Sequence, residues 1–240
     1  MIANRLRTAQ QVISEVLLTE KQNTGRKLER ITTAISREII TMIKHESVRS
    51  YFNEMGYAMV HIEERLVPEV AELPVGEVVL SVQEGERIGV SGRFEYPEGG
   101  GIPSENAIVA MIRLPRNYDF RDFHLLVPDL KDALRHEIEH AFQSAETLSG
   151  LSGMLDQYAS MDSLKQYLLS KAETEAHMAG FYKKAKMLKL PVSDVLDEEL
   201  ENLMNQAVGE GLPAGEVISL LKRVKKQWMA SGRGRYPNMK

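Results

Sequence analysis

Two histidines stand four residues apart in the segment RHEIEH, residues 135–140, and a glutamate follows the first of them. On an α-helix, residues four apart project from the same face, so the imidazoles of His136 and His140 can converge on one metal ion. Glu137 would not bind the ion but would lie beside it, within reach of a metal-bound water. Zinc lowers the pKa of such a water towards ~7. The pattern therefore predicts attack on a polarised carbonyl, most often peptide hydrolysis.

The residues around this motif predict that it lies on a helix. Pro128 and Asp129 are residue types that favour a helix start. Apolar residues then recur at i, i+4, i+8 and i+11, namely Leu130, Leu134, Ile138 and Ala141. The two histidines and the glutamate lie off this stripe, on a neighbouring face. The alternative interpretation is an ordinary surface helix with two exposed histidines.

A catalytic zinc site of this kind needs a third protein ligand. The chain has no cysteine, and no H-x-x-G-x-x-H continuation follows the motif. A later segment, SKAETEAHMAGF at 170–181, offers Glu173 and Glu175. These two are about 200° apart on a helix, so only one can face the metal. We favour Glu173, because His177 would lie on the same face and could brace it.

Other uses of the two glutamates stay open. Ser170 and Glu173 have the spacing of a capping box, which would use the carboxylate at the helix start. Glu175 suits a solvated surface charge. The sequence therefore leaves the third ligand between Glu173, Glu175 and another residue.

The motif HEIEH and the downstream E-x-x-A helix resemble the gluzincin-type zinc metallopeptidases, particularly the small, minimal ones of bacteria and phages. The resemblance covers roughly residues 105 to 185. It implies that His136 and His140 are zinc ligands, that Glu137 is the general base, and that Glu173 is the third ligand.

The chain departs from the thermolysin-like version of this pattern. There, Asn precedes the ligand glutamate and Asp follows it by four residues, whereas Ala172 and His177 stand here. This excludes a close thermolysin relative. The resemblance also implies that the strand before the motif helix, Ala107 to Leu114, lines the cleft and pairs with extended substrate. It further implies an oxyanion stabiliser, for which four residues are candidates: Tyr182, Tyr167, His124 and Arg135.

The order of predicted helices and strands along the chain indicates an α+β fold. It is mainly helical, with a small antiparallel sheet packed against the HExxH helix. Helices are predicted at 4–45 (broken near 23–25), 48–66, from 128 through the motif, 162–189 (interrupted near 170), 193–208 and 214–230. Strands are predicted at 77–82, 87–96 and 107–114.

We divide the chain into three regions on this basis. Residues 1–68 form an N-terminal helical region, whose apolar stripe suits packing or self-association. Residues 69–190 form a zincin-like catalytic region, and residues 191–240 carry C-terminal helices and a basic, disordered tail.

Composition narrows the class of protein. A hydrophobic share of 43% and a charged share of 27% are ordinary for a soluble globular protein. A chain of 240 residues can bury a stable core without a structural metal or disulfide bonds. A bound metal would therefore serve the function of the protein rather than its folding. The net charge of −4 argues against a general nucleic-acid binder. No signal-peptide pattern and no run of ~20 apolar residues is present, so we expect a cytoplasmic protein with no membrane partner.

We therefore expect a zinc-dependent metalloendopeptidase that acts on a protein or peptide. Its Zn²⁺ would be held by His136, His140 and Glu173, with Glu137 as the catalytic base. The alternative is a structural or assembly protein, for example a virion-associated phage component. In that case the motif would be vestigial or would only bind metal.

Overall fold

The structure, a computed structural model, describes residues 24–95, 106–116, 118–143, 158–236 and 239. Its helices are α1 (24–44), α2 (Glu46–Met55), α3 (Val127–Ala141), α4 (Met161–Leu169), α5 (Lys171–Leu188), α6 (Val192–Gly209) and α7 (Ala214–Arg235). Its strands are β1 (Tyr57–His61), β2 (Glu77–Glu84), β3 (Gly89–Glu95) and β4 (Ala107–Leu114). Short 3₁₀ helices occupy Pro68–Glu72 and Phe120–Leu126. The predicted α+β class, mainly helical, is confirmed.

The sheet is mixed, so the expectation of an antiparallel sheet was wrong for one pair of strands. The strand order is β1-β2-β4-β3. β1 and β3 pair antiparallel with their neighbours, whereas β2 and β4 run parallel. After β2 the chain forms β3, at the edge of the sheet opposite β1. It then returns as β4, which lies between β2 and β3. β2 and β4 are almost continuous apolar runs because central strands are covered on both faces.

The prediction of a helix at 48–66 was wrong after Met55, so the region 1–68 is not wholly helical. α2 ends at Met55 because Gly56 takes a left-handed conformation, with φ of 77°, and its N–H bonds the carbonyl of Phe52. Residues Tyr57–His61 then form β1, whose side chains alternate between exposed and covered positions. That alternation over five residues was too short to separate from the helical pattern around it.

The described residues form two apolar cores, and these cross the boundaries placed at 68 and 190. The first core joins the sheet, the stripe of α3 and five fully buried residues of α1: Leu28, Ile31, Ile35, Ile39 and Ile43. The second core joins α4 to α7 around Trp228. The described part of the N-terminal stripe is therefore buried within this chain, while residues 1–23 lie outside the described residues. Self-association stays a prediction.

The tail predicted to be disordered is ordered over most of its length. α7 continues to Arg235, and the Met239 side chain is buried. Gly232 allows this packing, since a Cβ there would lie 2.8 Å from the sulfur of Met239. Residues 237, 238 and 240 lie outside the described residues. Within the described helices, none combines the length and the apolar character needed to cross a membrane.

Candidate metal centre

The motif histidines lie on α3 where α5 packs along it. The predicted stripe of α3 is buried, with Leu130 and Ile138 fully inaccessible. The Nε2 atoms of His136 and His140 are 3.0 Å apart, and their side chains are only 13% and 6% exposed. The interpretation of an exposed surface helix therefore does not describe α3.

Glu173 of α5 faces both histidines. Its Oε1 lies 3.3 Å from Nε2 of His140, and its Oε2 lies 3.4 Å from Nε2 of His136. The Glu173 side chain is 5% exposed. The structure thus brings together the three residues that the sequence singled out as metal ligands.

Local geometry explains why Glu173 rather than Glu175 points inward. Ser170 is extended and separates α4 from α5, as the predicted interruption required. Its Oγ accepts the backbone N–H of Glu173 at 3.1 Å, so Ser170 caps the helix while the Glu173 carboxylate stays available to the histidines. Glu175 is on another face of α5, where its side chain is 33% exposed and 4.0 Å from Lys171.

The chemistry of these side chains suits a cation. Oε2 of Glu173 and Nε2 of His177 are buried, and each lacks a hydrogen-bond partner among the described residues. The possible ligand atoms of His136, Glu173 and His177 all lie within 4.8 Å of one another. The same holds for those of His136, Glu137 and His140. Buried polar atoms without partners are costly, and a bound ion would satisfy them. These residues could therefore hold a metal ion.

The electrostatics of the centre follow from burial and from the short distances between charged groups. Burial lowers the pKa of His136, but the nearby carboxylates of Glu137 and Glu173 raise it to about 9. Burial raises the pKa of Glu173, but its contacts with His136 and His140 bring it well below the usual range. Burial raises the pKa of Glu137. The two carboxylates thus differ, one held ionised and the other shifted towards the protonated form.

Glu137 lies against the edge strand β3. A Cβ on Gly92 would be 2.6 Å from Oε1 of Glu137, so only glycine leaves room for this carboxylate. The backbone of Phe94 hydrogen-bonds the same carboxylate and favours its ionised form. β3 therefore fixes the side chain that the sequence predicts as the general base.

This geometry corrects the strand expected to line the cleft. β4, Ala107–Leu114, is paired on both sides, with β2 and with β3. Its backbone has no free edge for an extended peptide. β3 lies at the end of the sheet beside α3, so β3 is the strand next to the centre.

Gln143 orients His140, a role that sequence reasoning missed. Nδ1 of His140 lies 2.9 Å from Oε1 of Gln143, and Nε2 of Gln143 donates to the carbonyl of Ala172 at 2.9 Å. With Nδ1 donating, Nε2 of His140 keeps its lone pair for a metal. Gln143 follows His140 by three residues, a spacing that makes the two side chains neighbours on a helix. This spacing could have identified Gln143 from the sequence.

Asp132 is a second neighbour that the sequence reading did not consider. It precedes His136 by one helical turn, which places it on the same face of α3. Burial raises the pKa of Asp132 to about 7, and the charge of His136 acts in the opposite direction. A search for acidic residues one turn before each histidine would have identified it.

One of the four candidates for oxyanion stabilisation lies at the centre. Burial and the Glu173 carboxylate raise the pKa of Tyr167 well above its usual range, and its ring is 6.3 Å from that of His177. The other three are engaged elsewhere. Tyr182 stacks on Tyr236, the Arg135 guanidinium donates to Glu139 at 2.7 Å, and His124 is exposed, with Nδ1 3.0 Å from the carbonyl of Arg121.

No family model matches this chain, and neither a curated protein nor a solved structure is significantly similar to it. The centre must therefore be interpreted from its own residues. Those residues form a histidine and carboxylate group that could bind a metal ion, placed between two packed helices and the edge of a sheet.

Proposed function

We propose that this protein is a zinc-dependent metallopeptidase. His136, His140 and Glu173 would hold the ion, and Glu137 would be the catalytic base. The observation that carries the proposal is the convergence of the two imidazoles and the Glu173 carboxylate within 3.4 Å of one another, with Glu137 beside them. Two imidazoles and one carboxylate are the protein ligands of several catalytic zinc sites.

When bound, zinc would polarise a substrate carbonyl and favour water as a nucleophile at neutral pH. Glu137 would accept a proton from the attacking water and pass it to the leaving amine. Its burial supports this role, because a raised carboxyl pKa makes proton transfer in both directions easier. Gly92 and the Phe94 backbone would hold it in place.

An extended peptide would bind beside β3, the strand at the end of the described sheet. Edge strands recognise peptides through main-chain hydrogen bonds, so affinity depends little on side-chain identity. β3 also contacts α3, which would place the bound peptide next to Glu137.

The first experiment is elemental analysis of purified protein after reconstitution with Zn²⁺, Fe²⁺ and Mn²⁺ in turn. We expect about one zinc per chain in the wild type and none in His140→Ala. Glu173→Gln should lose zinc, whereas Glu175→Gln, the matched control two residues away, should keep it. If Glu175→Gln alone lost zinc, the assignment of the third ligand would be wrong. No bound metal in the wild type would remove the proposal altogether.

Activity requires a separate test. The wild type and Glu137→Gln are incubated with a peptide library, and new termini are identified by mass spectrometry. We expect cleavage only by the wild type, with both proteins binding zinc equally. Zinc binding without any cleavage by the wild type would instead favour an assembly protein that uses the metal only for structure.

A further inference from the structure

His177 is the polar side chain at the centre that the three-ligand arrangement leaves without a role. Its Nε2 lies 3.5 Å from Oε2 of Glu173, and both atoms are buried without a hydrogen-bond partner in the described part of the chain. The His177 side chain is 14% exposed. A residue that merely braced Glu173 would donate a proper hydrogen bond to it, as the residues that orient metal ligands do. That bond is not formed.

We propose that His177 is a fourth protein ligand of the metal ion, an inference that rests on the metal site of the proposed function. Ligand atoms about 2.0–2.2 Å from a tetrahedral zinc are roughly 3.3–3.6 Å apart. Oε2 of Glu173 is 3.4 Å from Nε2 of His136 and 3.5 Å from Nε2 of His177, and Oε1 is 3.3 Å from Nε2 of His140. His136 and His177 therefore share one carboxylate oxygen as a neighbour, at distances that ligands of one ion would have, and His140 lies at such a distance from the other oxygen.

The position of Oε2 separates a ligand from a bracing residue. A bracing group bonds the carboxylate oxygen that points away from the metal, whereas Oε2 of Glu173 faces His136 as well as His177. His136 and His177 also offer nitrogen atoms within 4.8 Å of each other, and their rings meet edge to face at 4.4 Å. An ion that contacts His136 and this oxygen is thus within reach of His177.

Aromatic packing holds the His177 ring in this orientation. The ring stacks on Trp228 of α7 with centroids 4.5 Å apart and on Phe181 with centroids 5.5 Å apart. Trp228 is itself fixed, because its Nε1 donates to the carbonyl of Leu168 at 2.9 Å. The imidazole therefore loses little rotational freedom when a metal binds. The second apolar core, through α4 and α7, sets the position of this ligand.

Four protein ligands are compatible with the proposed reaction. Four protein ligands would fill the tetrahedral positions, so a water would bind as a fifth ligand, a number that zinc reaches in the transition state of some catalytic sites.

The test is X-ray absorption spectroscopy of the zinc-loaded 240-residue chain, which counts imidazole ligands through multiple scattering. We expect three imidazoles in the wild type and two in His177→Ala and His177→Gln. His61→Ala, a variant of an exposed histidine on β1, is the control and should keep three. Because Trp228 is the only tryptophan of the chain, its fluorescence during Co²⁺ titration gives the affinity of each variant. Loss of His177 should weaken binding by more than the ~10–100-fold that is typical when a residue that only orients a ligand is lost.

The possible outcomes separate the two proposals. A wild-type spectrum with two imidazoles, unchanged in His177→Gln, would show that His177 is not a ligand while leaving the zinc site intact. A wild type that binds neither Zn²⁺ nor Co²⁺ would overturn the proposed function as well. The wild-type spectrum alone decides the number of ligands even if both His177 variants fail to fold.

Discussion

Gly92 of β3 lies against Glu137 of α3 so closely that a Cβ on Gly92 would be 2.6 Å from Oε1 and 2.9 Å from Cδ of the glutamate. Gly92→Ala should therefore displace Glu137, the proposed catalytic base, without touching the proposed metal ligands. A displacement of about 1 Å costs roughly 10²-fold in rate, so we expect kcat to fall by about that factor while zinc content stays at the wild-type value. Peptide cleavage rates and elemental analysis measure the two quantities.

Gly89→Ala is the control for this substitution, because no atom lies within 4 Å of a Cβ built there on the same strand. It should leave both quantities unchanged. Equal losses of activity in the two variants would mean that the effect comes from the strand as a whole.

Gln143→Ala should weaken metal binding. The substitution removes the partner of Nδ1 on His140 and the bond from α3 to the carbonyl of Ala172. Loss of a hydrogen bond that orients a metal ligand costs about 10–100-fold in metal affinity. Competition with a chelator gives the Kd, and Gln166→Ala, which changes an exposed glutamine on α4, should match the wild type. An unchanged Kd in Gln143→Ala would show that His140 needs no partner.

Asp132 should make the metal-free protein less stable as pH rises from about 4 to about 7. Its pKa is raised from 3.8 to about 7, so in this range the folded state binds a proton that the unfolded state has released. The free energy of unfolding then falls by at most about 1.4 kcal/mol per pH unit. Asp132→Asn should lack this slope.

Urea unfolding at several pH values, with a chelator present, measures the difference between Asp132→Asn and the wild type. His136 affects the free energy of unfolding over a different pH range. Its pKa is raised from 6.5 to about 9, so its contribution to stability is complete below about 6.5 and is lost as pH rises through about 9. Parallel curves for the two proteins below pH 7 would contradict the predicted role of Asp132.

Gly180→Ala should destabilise the fold. A Cβ on Gly180 would overlap Oδ1 of Asp132 and lie 3.0 Å from the Asp132 backbone oxygen, so α3 and α5 would have to separate. Overpacking of this kind costs about 1–3 kcal/mol. Gly215→Ala, at the start of α7 with no atom within 4 Å of the new Cβ, should be neutral or slightly stabilising. Urea midpoints compare the two, and a fully stable Gly180→Ala would show that the helices can separate without cost.

Local patterns were enough to predict the helices around the centre. The i, i+4 spacing of His136 and His140 and the apolar stripe of α3 follow from helical geometry alone, and the structure reproduces both. The helix break at Ser170 also follows from local rules, as does the limit that only one of Glu173 and Glu175, about 200° apart, can face α3. The tertiary structure turns Glu173 towards the histidines. The α+β class was likewise predictable, because apolar periodicity changes along the chain.

The strand β1, the parallel pairing of β2 with β4 and the ordered tail were not predictable in this way. Each depends on a partner distant in sequence, since β1 is stabilised by pairing with β2 and Arg235 by its ion pair with Glu139 at 2.5 Å. Local propensity does not contain the energy of such contacts.

Two histidines and a glutamate from a later helix can therefore be recognised from the sequence as having the chemistry of metal ligands. The residues around them follow from the tertiary structure. It placed Gly92 against Glu137, Gln143 against His140 and Trp228 against His177. The physical reason is that side-chain chemistry and helical spacing are local properties. The distances between α3, α5, α7 and β3 are instead set by how two apolar cores pack.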